Sequence, residues 1–189
     1  MQTIILASQS PRRKQLLEWA EVPFEIVVKH VEETYPDEMP VSEVPVHIAR
    51  SKAEAVLQSE AKNANRIILA ADTIVVIDDM IIGKPKNREN AIEILQLLSG
   101  RQHQVITGVV ILLQNKEISF ADITAVTFHP LNLQQIEFYV DKYKPYDKAG
   151  AYAIQEWIGV VGIKSVQGDF YNVMGLPVSR VVQELGKLR

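Results

Sequence analysis

Three stretches of this chain hold side chains suited to chemistry. The first is LASQSPRRKQLL, Leu6 to Leu17, where Ser8, Ser10, Arg12 and Arg13 stand at the corner between a strand-like run and a helix. A helix N-terminus offers unpaired N–H groups and the positive end of a dipole, and both favour an anion. Arg12 and Arg13 add guanidinium forks that match phosphate oxygens. The corner reads either as a phosphate site built without the glycines of a P-loop or as a capped helix whose two arginines point into solvent.

The second stretch is AADT, Ala70 to Thr73. An aspartate inside so apolar a run is costly to bury unless it is paired or holds a metal. Asp72 is therefore a candidate to coordinate a magnesium ion, to activate a water, or to hydrogen-bond a neighbouring loop. Glu32 and Glu33 supply further carboxylates in the polar stretch after FEIVV, where a charged pair taken alone is usually solvated. Lys84 sits in a GKP turn downstream of the Asp72 strand, and Lys52 sits in ARSKAEA on a helix face. Each lysine by itself reads as a surface charge; the chemical reading strengthens only if they converge.

The third stretch is YDKAGAYAIQ, Tyr146 to Gln155, followed by GDFYNVMGLP, Gly168 to Pro177. Small residues at 149–151 let a backbone approach a flat ligand closely. The Gln155 amide offers a donor and an acceptor, a pair that matches the N3–H and a carbonyl of uracil or thymine. The bland alternative is a glutamine satisfied by backbone or water.

These residues need elements to hold them. TIILA (Thr3 to Ala7) reads as a buried strand, and Ser10-Pro11 as the N-cap and first position of a helix that turns Leu16, Leu17 and Ala20 inward. Phe24 to Val28 is a second strand, followed by a polar loop with two prolines and a helix from about Ser42 to Gln58. Arg66 to Asp78 is the most apolar strand, long enough to be central. NRENAIEILQLLSG is a helix closed by Gly100. Val105 to Leu113 and Ile118 to Phe128 flank QNKE and pair as a hairpin. Leu133 to Tyr143 is another amphipathic helix, and Pro177 begins a last one. The expectation is an α/β fold, a mixed central sheet with flanking helices, in one domain over residues 1–189.

The 189 residues are 47% hydrophobic and 23% charged, with a formal net charge of −3, which is globular composition with a substantial core and no general basic field. Aromatic residues, 7% of the chain, do not interleave with a basic stripe, so nucleic-acid binding is disfavoured. Without cysteine there is no disulfide framework or thiolate metal site, and the four histidines lack zinc-ligand spacing. No GxSxG, Walker or GxGxxG motif is present. The short apolar start precedes its positive charges, unlike a signal peptide, and no run approaches the roughly 20 residues of a membrane span. A cytoplasmic protein with no membrane partner is expected.

LASQSPRRKQLL, AADTIVV, GKP, LSGRQHQVITGV, DKAGAYAIQ and GDFYNVMGLP, in this order from Leu6 to Pro177, resemble the Maf family of nucleoside triphosphate pyrophosphatases. The resemblance implies a fold like that of inosine triphosphate pyrophosphatases, with two lobes around a cleft. It also implies hydrolysis of a nucleoside triphosphate to the monophosphate plus pyrophosphate with a divalent metal, magnesium or manganese. By the same resemblance Asp72 is the proton acceptor, while Arg12, Thr73 and Gln155 govern substrate choice. Glu33, Lys52 and Lys84 complete the family's site. The AGAYxIQ pattern is similar to the branch acting on dTTP and UTP, and the family is compatible with a homodimer.

The mechanism expected from this set lays the triphosphate across Arg12, Arg13, Lys52 and Lys84, with Ser8 and the helix N-terminus completing the cradle. Glu33 and Asp72 are the expected oxygen ligands of the metal. One alternative is a nucleotide-binding regulator of septum formation without turnover, which would have no need of Asp72 and Glu33 beside the full set of cations. A nucleotidyl transferase would bring a glycine-rich loop and a longer chain.

Overall fold

A computed structural model describes residues 2–59 and 65–188. The elements run β1 (Ile4–Leu6), α1 (Pro11–Trp19), β2 (Phe24–Ile26), α2 (Val44–Ser59), β3 (Ile68–Ile77), β4 (Met80–Ile82) and α3 (Arg88–Leu98). They continue with β5 (Gln102–Leu113), β6 (Lys116–Phe128), α4 (Leu133–Tyr143), α5 (Trp157–Gly162), β7 (Ile163–Gln167), α6 (Phe170–Met174) and α7 (Val178–Gly186). The strands form one mixed sheet in the order β2-β1-β3-β5-β6-β7, with β4 also paired to β3. β1 is parallel to both β2 and β3, whereas β4 and β7 run antiparallel to β3 and β6. The mixed sheet with flanking helices that the hydrophobic pattern predicts is present.

Two compact units divide the chain. One comprises Met1–Thr73, Thr107–Asp122 and Gly175–Arg189; the other comprises Ile74–Ile106 and Ile123–Met174. In the first, α2 packs Ala49, Ala53 and Val56 onto Ile5, Ala7, Ile68, Ala70, Val110 and Leu112. Ala49 and Ala53, one helical turn apart and fully buried, keep the helix close to the strands. Gly108 on β5 sets how close: a Cβ there would lie 2.2 Å from Pro45 C and Val46 N, so only glycine admits the first turn of α2 at this point. Lys52 rides on the helix so placed.

In the second unit α3 packs against α4, burying Leu95 and Leu98 from one helix and Ile136, Tyr139 and Val140 from the other. Both helices begin as local chemistry dictates. The Asn87 side chain accepts from Asn90 N at 2.9 Å, and Asn132 forms a capping box with Gln135.

Local patterning missed β4, α5, α6 and β7. β4 returns along β3 through a two-residue turn at Asp78 and Asp79, both left-handed at φ 48° and 62°, a hairpin turn more often marked by Asn-Gly or Asp-Gly. α5 and α6 are only six and five residues long, too short for a helical period to register. β7, IKSVQ, is half polar and is a strand because β6 pairs with it. Ser10 does occupy the N-cap of α1, but its side chain makes no capping bond; its N–H donates to Ser8 Oγ at 3.3 Å. Among the described residues no helix is long and apolar enough to cross a membrane.

Candidate active site

β3 reads ILAADTIVVI, and every residue is buried except Asp72 and Thr73. Successive side chains on a strand point to opposite faces. Asp72 therefore meets α2 while Thr73 meets α1, and the two faces carry two different arrangements within the first unit.

On the α2 face, Lys52 Nζ donates to Asp72 Oδ1 at 2.7 Å. The same ammonium stands 2.6 Å from Oε1 of Glu33, which the loop after β2 brings in from outside. The Asp72 and Lys52 side chains are 13% and 18% exposed and that of Glu33 is 48%, so a largely buried ion pair opens to solvent on the Glu33 side. A buried carboxylate needs such a partner.

On the opposite face, Arg13 turns its guanidinium into the protein. Nε donates to Gly175 O at 2.8 Å, Nη1 to Ser8 Oγ at 3.0 Å and Nη2 to Thr73 Oγ1 at 3.0 Å. Thr73 Oγ1 is in turn 2.9 Å from Oγ1 of the fully buried Thr107 on β5. Burial pulls the Arg13 guanidinium below its ordinary value, and the nearby charge of Asp72 works against that shift. Three neutral acceptors replace the water that the buried guanidinium gives up. Gly175 presents its carbonyl from a backbone at φ 115°, a conformation that side chains rarely adopt.

The structure thus brings together Ser8, Arg13 and Thr73 on one face of β3, and Glu33, Lys52 and Asp72 on the other. Arg12, expected beside Arg13 on phosphate, is half-buried on α1 and belongs to the same unit. Lys84 and Gln155 belong to the second unit, both exposed, one between β4 and α3 and the other just before α5. Sequence reasoning missed Thr107 and Gly175. The available signals were a hydroxyl in the apolar run VITGVVILL and a glycine ahead of LP, neither of which names its partner.

Among the described residues no group of three or more histidines or carboxylates gathers to hold a metal unaided. Glu33 and Asp72, sharing one ammonium, provide two carboxylate oxygens at a site half open to solvent. That donor set fits magnesium or manganese, hard cations that take one or two carboxylates and complete their shell with water and substrate phosphate.

The family model described as Maf-like protein matches residues 3–188. The "dTTP/UTP pyrophosphatase" of Cytophaga hutchinsonii is 54% identical over 185 residues, covering 98% of this chain and 84% of its own. The proteins of the same name from Parabacteroides distasonis and Bacillus cereus are 50% and 49% identical, each covering at least 96% of this chain and 94% of their own. Among solved structures, the Staphylococcus aureus Ham1 protein superposes with a TM-score of 0.50 at 17% identity, covering 97% of this chain and all of that one, a likeness of fold.

Proposed function

The chain belongs to the Maf-like protein family, and from that premise we propose that it hydrolyses nucleoside triphosphates, dTTP and UTP foremost, to the monophosphate and pyrophosphate. The observation that supports this best is near full-length identity to relatives named for that activity. Asp72, held by Lys52 at the one break in a buried strand, agrees with it.

In the reaction, a water oxygen bonds to the α-phosphorus while the bond from that phosphorus to the bridging oxygen breaks. Pyrophosphate leaves, and the water's proton passes to the Asp72 carboxylate. Lys52, on the other side of that carboxylate, keeps it placed and offsets negative charge. Arg12 and the N-terminus of α1 bind phosphate oxygens. Arg13 acts less as a phosphate fork than as the post that holds Ser8, Thr73 and the Gly175 turn. Glu33 and Asp72 would hold the magnesium or manganese ion, which when bound neutralises triphosphate charge and lowers the pKa of a water. Lys84 is assigned to the triphosphate and the Gln155 amide to the pyrimidine edge. We read the chain as a cytoplasmic protein with a single Maf-like domain over 1–189, compatible with a homodimer.

Hydrolysis of dTTP, UTP, CTP, GTP and ATP with and without magnesium, with products resolved by chromatography, tests this reading. Monophosphate and pyrophosphate, fastest from dTTP and UTP, are expected. Diphosphate with orthophosphate would mean attack at a different phosphorus, and no turnover of any nucleotide would remove the enzyme altogether.

A further inference from the structure

We propose that Lys52 guards the carboxylate pair, its ammonium keeping a free divalent cation away from Glu33 and Asp72 until a nucleotide arrives. This deepens the pyrophosphatase reading and rests on it. Nζ stands 2.6 Å from Glu33 Oε1 and 2.7 Å from Asp72 Oδ1, so one positive charge already answers both carboxylates by short charge-assisted contacts. The side chain is only 18% exposed. Its starting point is fixed, because Ala49 and Ala53 seat its helix in the core and Gly108 admits that helix's first turn against β5.

A metal ion reaching these two oxygens meets a like charge at contact distance and gains only two protein ligands in exchange. Such a displacement is unfavourable for a hard, reluctantly dehydrated cation. A triphosphate changes both sides of that balance. Its oxygens give the ammonium another anion to bind, and they supply the ligands that two carboxylates lack. Metal and nucleotide therefore enter together, and metal alone stays out. A cell's free divalent cations then do not load the site, and the carboxylates remain paired between turnovers.

The test is direct titration with Mn²⁺, read by electron paramagnetic resonance in the absence of nucleotide. Lys52→Met is expected to bind Mn²⁺ at least about tenfold more tightly than the wild type. Lys52→Arg, which keeps the charge, should stay as weak as the wild type. Adding Asp72→Asn to Lys52→Met should cancel the gain. Equal binding by wild type and Lys52→Met, no detectable binding by either, or an arginine variant that binds as tightly as the methionine variant would each overturn the proposal.

A second measurement needs no variant. The ¹⁵N resonance of Lys52 Nζ in the wild type should be unmoved by Mg²⁺ alone and should shift with Mg²⁺ plus α,β-methylene-dTTP. A shift with Mg²⁺ alone overturns the proposal. Neither readout depends on turnover. A chain that shows this pattern yet hydrolyses nothing would sink the pyrophosphatase reading, whereas an active chain without the pattern would sink the guard.

Discussion

Arg13 Nη2 donates to Thr73 Oγ1 at 3.0 Å, across 60 residues of chain, and ties the start of α1 to the residue that follows Asp72. The same guanidinium also holds Ser8 and the Gly175 carbonyl. A lysine cannot serve three acceptors from a planar fork. Arg13→Lys is therefore expected to destabilise the fold by about 2–4 kcal/mol, since buried acceptors lose charged donors. Urea unfolding measures this, and a loss below about 0.5 kcal/mol would mean that the bonds add little.

Asp72→Asn keeps an oxygen to accept from Lys52 but cannot accept a proton from water. Turnover of dTTP should fall roughly 10²–10⁴-fold, and the fold should survive because Lys52 keeps Glu33 as its charged partner. Pyrophosphate release by the purified variant checks the turnover, and a thermal melt of the same sample checks its stability. Near-normal turnover would strip Asp72 of the role of base.

Gln155 is exposed, so its truncation should leave stability unaltered. Gln155→Ala should instead narrow the gap between UTP and CTP as substrates while sparing pyrophosphate as the product. The ratio of kcat/KM values for the two nucleotides is the quantity to follow; an unchanged ratio would remove Gln155 from base recognition.

Gly108→Ala forces a methyl group into the backbone of Pro45 and Val46, a collision that no rotamer relieves. A loss of about 1–3 kcal/mol or more is expected, because α2 must move off β5. Lys52 travels with it, so the variant that does fold should also show slower dTTP hydrolysis. Wild-type stability would show that the helix tolerates the shift.

His103 is buried against Phe128 and Tyr152, with Nε2 2.7 Å from the Tyr152 hydroxyl, and burial holds its pKa down to about 4. In the unfolded chain it titrates near its ordinary value of 6.5. Below that pH the unfolded state binds the proton that the folded state refuses, so stability falls as pH drops from about 6.5 to about 4 and levels off beneath. The loss from this residue approaches about 3 kcal/mol. Urea unfolding at several pH values should show the slope, and His103→Gln should flatten it; an equal slope in the variant would assign it to other groups.

Much of this protein is legible in its sequence because much of it is local. The apolar runs of β1 and β3, the Ser10-Pro11 start of α1, the helices α3 and α4 and the β5–β6 hairpin follow from burial periodicity and turn chemistry within a few residues. Asp72 was legible for the same reason: a carboxylate in an otherwise apolar strand must be answered by something. What answers it was not. Lys52 and Glu33 lie 20 and 39 residues upstream, and only the seat of α2 on the sheet makes one ammonium serve both carboxylates. Adjacent arginines look alike in sequence, yet they point about 100° apart around a helix. Only the packing decides that Arg13 turns inward, because the acceptors waiting for it come from positions 8, 73 and 175. The residue types determined which chemistry was available; the chain's long-range closure decided which groups meet to perform it.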